Sequence, residues 1–391
     1  MRLGDCGKTN LHTYSDKEKW SLIRYLDTGS ITEGRIDEIQ TLYPGVDKIP
    51  SRARRKASVG DILFSTVRPN QKHYGIIEAG TENLLVSTGF TVATVDTTIA
   101  DPYFIYYYLT QSSVIESLQA IAEQSTSTYP SIKPSDIEDI ELDLPELETQ
   151  KKIGSTLRML DRKIALNEEI NDNLEQQAQS YFQELFVDNA DPEWTTGTIS
   201  DLGTVVGGST PSKAKPEYYT ESGIAWITPK DLSNNKSKFV SHGENDITEL
   251  GLRNSSASIM PEGTVLFSSR APIGYIAIAA GEVTTNQGFK SVVPKPEIGT
   301  PFVYFFLKNT LPVIEGMASG STFKEVSGST MKNVPAVIPD AETLAKFSDF
   351  CAPIFAQQRI LEEQNQSLAT MRDNLLPKLM SGEIDVSAVQ L

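Results

Sequence analysis

At 391 residues the chain exceeds what one hydrophobic core usually supports, so more than one domain is expected. Hydrophobic residues make up 39% and charged residues 22%, and no stretch approaches the roughly 18 to 20 apolar residues that a membrane span needs, which excludes a transmembrane helix. The net charge of -16 argues against indiscriminate nucleic-acid binding, so any contact with DNA must come from a locally basic face.

The N-terminus, Met1 to Asn10, has no basic segment followed by an apolar core, and a cytoplasmic location is expected. Only Cys6 and Cys351 are present, and His12, His73 and His242 are scattered, so neither a disulfide framework nor a metal site is expected. Between residues 51 and 72 stand Arg52, Arg54, Arg55, Lys56, Arg68 and Lys72, with Asp61 the only acid. Cations of this kind neutralise phosphates, and an arginine fork can reach a guanine edge; a solvated loop is the plain alternative. Ile62 to Phe64 and Phe90 to Val95 have the β-branched, aromatic character of strands, and a helix is expected from Asp101-Pro102, since proline suits a first helical turn. The loop Ser125 to Thr128 precedes the final strand, and the acids from Asp136 to Glu148 should face away from DNA. From Ile153, positions 157, 160, 164, 167, 171, 174, 178, 181 and 185 form an apolar seam at 4-3 spacing, broken by Asn167 and Asn171, which predicts a coiled-coil helix.

The same order then returns. Leu3-Gly4 is repeated as Leu202-Gly203, Trp20 as Trp226, Gly60-Asp-Ile-Leu-Phe-Ser65 as Gly263-Thr-Val-Leu-Phe-Ser268, and Gly89-Phe90 as Gly288-Phe289. Tyr106 to Leu109 corresponds to Tyr304 to Leu307, and Glu168-Glu169 to Glu362-Glu363. The second seam runs from Phe347 through Cys351, Ile354, Gln358, Leu361, Asn365, Leu368, Arg372 and Leu375 to Leu379, with Pro353 and Pro377 expected to kink or interrupt it. Each unit is therefore an α+β module followed by a long helix, a fold with an internal repeat. Neither seam is wide enough to stand alone, so the helices should pair antiparallel, with Asn171 and Asn365 facing each other and fixing register. A helix of about 33 residues spans about 50 Å, more than one turn of B-DNA, and would act as a ruler between two readers.

In the second unit the polar and basic residues that could touch DNA are Ser209, Thr210, Lys213 and Lys215 in a Gly-rich turn, Thr228, Lys230, Arg270, Asn286, Gln287, Lys290, and the loop Ser321, Thr322 and Lys324. Ser65, Ser125 and Thr126 complete the set in the first unit. Each could equally be an ordinary turn residue.

Gly207-Gly-Ser-Thr-Pro-Ser-Lys-Ala-Lys-Pro-Glu-Tyr-Tyr219, continuing to Ile224 to Leu232, resembles the opening of a target recognition domain of type I restriction-modification specificity subunits. Asn374-Leu-Leu-Pro-Lys-Leu-Met-Ser-Gly-Glu-Ile384 resembles the end of that family's conserved helix. The resemblance implies two similar α+β target recognition domains, at 1–145 and 190–339, separated by two long antiparallel coiled-coil helices, at 146–189 and 340–391, with pseudo-two-fold symmetry. It further implies a non-catalytic subunit that recognises a bipartite, asymmetric double-stranded DNA target. Its partners would be two modification (methyltransferase) subunits, which methylate adenine, and restriction subunits. No cofactor is implied in this chain, because S-adenosylmethionine, ATP and Mg belong to those partners. The start is expected to depart from the family layout, with an N-terminal conserved segment minimal or absent, and Asp5 to Asn10 is only loosely similar to the Gly-rich turn.

The residues weigh against other readings. An adenine methyltransferase needs a glycine-rich cofactor loop and an Asp/Asn-Pro-Pro-aromatic turn, and Asp101-Pro102-Tyr103-Phe104 lacks the second proline. A nuclease needs clustered carboxylates with a lysine, which Pro339 to Glu342 lacks. A coiled-coil scaffold binding protein or carbohydrate remains the alternative that composition alone permits.

Overall fold

The computed structural model describes residues 1–125, 129–270, 272–320, 324–387 and 389. The chain forms two compact units, Met1–Ile164 with Ser367–Leu391, and Ala165–Gln366. The unit boundary falls inside both long helices, Leu147–Gln183 and Ala341–Met380, so each unit owns an α+β module and a stretch of each helix. Contacts thus follow helix pairing, whereas the four segments expected from the sequence follow chain order. The helices have 37 and 40 residues, or about 55 and 60 Å at ~1.5 Å per residue. Among the described residues no helix is long and apolar enough to cross a membrane.

In the first unit, Gly7–Thr9, Phe90–Val95, Ile62–Ser65 and Tyr74–Ile76 form an antiparallel sheet in that order. A second sheet orders Gln40–Leu42, Ile23–Leu26, Leu84–Ser87 and Ala53–Lys56, with Ile23–Leu26 parallel to Leu84–Ser87. Asp101 caps the helix Pro102–Thr110 by accepting from the Phe104 amide, and Phe104, Ile105 and Tyr107 sink into a core shared with Ile153, Leu157, Leu376 and Leu379. In the second unit, Gly203–Gly207, Lys290–Pro294, Val265–Ser269, Ile273–Ala279 and Phe239–Val240 form the main sheet. Trp226–Ile227 lies parallel to Thr284–Thr285. The helix Thr300–Met317 packs Phe302 and Phe305 on Phe182 and Phe347 of the long helices.

The repeat is structural, but its phase differs from sequence matching at two places. Gly7 opens a strand on Phe90–Val95 as Gly203 does on Lys290–Pro294, so Gly7, and not Gly4, is the counterpart of Gly203. Likewise Tyr25-Leu26 pairs in parallel with Leu85-Val86 as Trp226-Ile227 does with Thr284-Thr285. Trp20 stands outside that strand and packs on Tyr14.

Every residue of the two seams is buried or half-buried. Within the second unit Tyr181 meets Phe347 and Phe350, the Asn171 carbonyl accepts from Gln358, and Asn167 donates to Asn365 Oδ1 at 2.8 Å. Within the first, Asp161 pairs with Arg372 at 2.7 Å. Numbers rising on one helix against numbers falling on the other define an antiparallel pair. The expected Asn171–Asn365 contact is corrected by one turn: Asn365 meets Asn167, and the Asn171 side-chain oxygen has no hydrogen-bond partner among the described residues. The register is set by the larger contacts of the pair, such as Tyr181 on Phe347 and Phe350, and not by equivalence in the repeat. Pro353 and Pro377 also fail to interrupt their helix. Each removes one amide donor, while the buried Cys351, Ile354 and Leu376, Leu379 on either side hold the backbone in place.

Candidate nucleic-acid interface

The candidate cations of the first unit lie on different elements. Arg54, Arg55 and Lys56 belong to the strand Ala53–Lys56, not to a loop. Arg55 donates to Asn10, and burial lowers its pKa. Lys56 pairs with Glu18 and lies over the Trp20 ring, 5.1 Å from its centroid. These contacts hold the strand to the segment leaving the Gly7–Thr9 strand, for Tyr14 also donates to the Arg54 carbonyl.

Arg52 and Arg68 are different, being exposed and without a carboxylate partner among the described residues. Backbone bonds bring them to one sheet edge. Thr88 donates to the Arg52 carbonyl at 2.9 Å, Thr66 donates both its amide and its hydroxyl to the Gly89 carbonyl, and Arg68 donates to Pro130. The Arg68 guanidinium covers the exposed Tyr129 ring at 5.3 Å. Arg68 and Lys72 flank a short turn, Pro69–Gln71, with left-handed φ of 48° and 56°, a conformation that costs about 1–2 kcal/mol in a non-glycine residue. Lys72 spends its charge on Glu33. Ser125 accepts from the Ser131 amide at 3.3 Å at the same edge. Ser65 is corrected: it is 2% exposed and its hydroxyl donates to the Val67 carbonyl, so it offers no face to a ligand.

The second unit builds the same edge from different side chains. Ser269 donates its amide at 2.7 Å and its hydroxyl at 3.1 Å to the Gly288 carbonyl, as Thr66 does to Gly89. Val326 donates to Ser269 as Ile132 donates to Thr66. Around this frame the Gly-rich turn closes in, with Ser209 donating to the Thr285 carbonyl and Thr210 bonding Gln287. A Cβ at Gly208 would stand 2.0 Å from the Asn286 carbonyl, so only glycine fits there. Arg270 and Lys290 both reach Glu325 at 3.8 Å, and burial lowers the Lys290 pKa. The structure therefore gathers Ser209, Thr210, Arg270, Asn286, Gln287 and Lys290.

Three candidates are engaged in local structure. Thr228 caps the helix Pro229–Asn234 through Asp231, Lys230 pairs with Glu244 at 2.6 Å, and Lys215 donates to the Tyr218 hydroxyl. Those bonds raise the pKa of both lysines. Thr228 serves as a helix cap. Lys213 and Lys324 are exposed, with no ion pair among the described residues. Thr126, Ser321 and Thr322 lie outside the described residues.

Sequence reasoning missed Tyr129 and Glu325. The adjacency of Glu325 to Lys324 was a usable signal, but nothing in the sequence marks Tyr129 as the ring beneath Arg68. It also missed that the segment Leu11 to Ser15 leaves its strand where Gly208 to Ser212 leaves the corresponding one.

Comparisons with known proteins agree with this two-part arrangement. The family described as type I restriction modification DNA specificity domain matches residues 53–176 and 192–370. The chain is 25% identical to the type I restriction enzyme HindI specificity subunit of Haemophilus influenzae, across 98% of both chains. It is 39% identical to the type I restriction enzyme MjaIX specificity subunit of Methanocaldococcus jannaschii over 47% of this chain and 45% of that one. In fold it is similar to the crystal structure of a type I restriction-modification S subunit from M. genitalium, with a TM-score of 0.57 at 18% identity over 97% and 95% of the two chains.

Proposed function

Because this chain belongs to the type I restriction-modification DNA specificity family, which the family match over most of its length establishes, we propose that it reads a split DNA target through its two modules. Each module takes one half of an asymmetric, bipartite sequence, and the helix pair sets the gap. One observation carries this reading. The two edges share a backbone frame, Thr66 on Gly89 and Ser269 on Gly288, but carry unlike side chains: Arg52, Arg68 and Tyr129 in one, Thr210, Gln287, Arg270 and Glu325 in the other. A common scaffold with different hydrogen-bonding groups suits two different half-sites, since base edges are told apart by donor and acceptor pattern.

The chain itself is non-catalytic in this proposal and holds no cofactor. Two modification subunits bind S-adenosylmethionine and methylate adenine within the target, and restriction subunits use ATP and Mg to translocate and cut. The complex works in the cytoplasm. Methylation-sensitive sequencing of a host genome, with and without this gene while the modification subunit is kept, tests the proposal. A split adenine-methylated motif with a constant gap should vanish on deletion; unchanged methylation with an assembled modification subunit overturns it.

A further inference from the structure

Outside the candidate interface, the most elaborate polar cluster of the described chain surrounds Lys238, which immediately precedes the strand Phe239–Val240. Its residue is 7% exposed. The ammonium group pairs with Glu175 of the first long helix at 2.6 Å and donates to Gln358 of the second at 2.8 Å, 3.7 Å from the centre of the Phe355 ring. The Lys238 and Phe239 amides donate to the two oxygens of Glu362, at 2.7 and 3.0 Å. Glu175 is further held by Lys308 and the Tyr304 hydroxyl. One short segment of the module is thereby fastened to both helices. A lone lysine buried this far would be costly, and the cluster compensates it with a carboxylate, an amide oxygen and an aromatic face.

From this clamp a route of hydrogen bonds, chain connections and close packing leads to the candidate interface. Ile278 donates to the Lys238 carbonyl, and Ala280 to Val240. Beyond Val240 the chain reaches Glu244, whose amide donates to Asp231 at 2.8 Å. Asp231 accepts from both the amide and the hydroxyl of Thr228. Next to Thr228, Pro229 packs so closely on Gly288 that a Cβ there would meet it at 2.9 Å. Gly288 is the frame carbonyl of the edge and adjoins Gln287.

We infer that Lys238 is a positioning residue, fixing the angle at which the second module's edge meets its half-site relative to the helix pair. It touches no DNA. The inference rests on the proposed reading of a split target and adds where the stringency of one half is set.

The test uses the full chain co-expressed with its modification partner. Lys238→Met fills the space and leaves Glu175 with Lys308, so the fold should persist. The methylated motif should then relax in the half read by the second module, by about tenfold in discrimination at one or more positions, while the other half and the gap stay unchanged. A purely stabilising role would lower methylation of the whole motif without changing its sequence. Unchanged stringency in both halves, or equal relaxation of both, overturns the inference. If Lys238→Met abolishes assembly, Glu362→Gln, which weakens the two amide contacts and keeps Lys238 with Glu175, is held to the same criterion. A wild-type chain that yields no split motif defeats the proposed function instead, and takes this inference with it.

Discussion

In the first unit an ion pair at the surface adds to the apolar packing of the module on its helix. Glu78, just past the strand Tyr74–Ile76, meets Arg158 at 2.8 Å and the Tyr103 hydroxyl at 3.0 Å, with the Arg158 guanidinium stacked on the Tyr103 ring. In the second unit the fastening is buried, and Lys238 is at its centre. The candidate interfaces differ the other way round. In the first, Arg52 and Arg68 have no ion-pair partner among the described residues; in the second, Arg270 and Lys290 share Glu325. The first unit thus leaves the charge of Arg52 and Arg68 open to a ligand and adds only an exposed ion pair to its apolar attachment, whereas the second adds a buried ion pair and holds its cations on Glu325. Repetition has conserved a backbone frame and left the side chains free to diverge.

The sharpest way to break that comparison is to cut both fastenings. Glu175→Ala leaves Lys238 buried without its carboxylate and should cost the second unit about 3–5 kcal/mol. Glu78→Ala should cost the first less than about 1 kcal/mol, because its ion pairs are partly exposed. Hydrogen exchange of Val265–Ser269 against Ile62–Ser65 resolves the two units; equal losses would dismiss the distinction.

Next in size is the effect on DNA. Arg68→Ala should weaken binding of the assembled complex by about 1–3 kcal/mol if the fork reads a base. Arg270→Ala should cost less, since the charge of Arg270 is already partly engaged by Glu325. Anisotropy titrations over a salt series would measure both, and the coiled-coil scaffold alternative would gain if binding hardly depended on salt.

Smaller again is the helix pair. Replacing Asn167 and Asn365 together by leucine removes a buried polar contact that leaves one oxygen unsatisfied. Stability should change little or rise by about 1 kcal/mol, but the gap in the methylated motif should become less uniform as register loosens. A thermal melt and motif sequencing check the two parts.

The smallest effect is a pH dependence. Burial pushes the Lys238 pKa down to about 8, against about 10.4 in an unfolded chain. Between those values the unfolded state holds more protons on this lysine than the folded state does. Its contribution to stability therefore rises with pH across that window. Below about pH 8 the lysine is charged in both states and the increment is absent. Above about pH 10 the buried Tyr304 hydroxyl, whose pKa burial raises, opposes it. Urea unfolding at pH 7 and 9.5 should show the increment in the wild type and not in Lys238→Met.

Much of this was legible in the sequence. The seam spacing, the paired Gly-Asp-Ile-Leu-Phe-Ser and Gly-Thr-Val-Leu-Phe-Ser strands and the Asp101-Pro102 helix start are local patterns, set by helix and strand periodicity and by proline geometry, and they gave the two-unit plan, while the Gly207 to Leu232 and Asn374 to Ile384 segments carried the family resemblance. What only the tertiary structure decided were matters of pairing. Leu3-Gly4 resembles Leu202-Gly203 letter for letter, yet strand register makes Gly7 the counterpart. Asn171 and Asn365 are equivalent by count, yet the helix crossing sets Asn365 against Asn167. Arg54, Arg55 and Lys56 read as an open basic run, yet Lys56 is paired and Arg55 bonded, and Arg52 and Arg68 remain. Lys238 carried no mark at all, because a lysine in a polar loop is ordinary until three helices close over it. Periodicity is written along one chain, but register, burial and charge pairing depend on which residues from distant positions arrive at the same place.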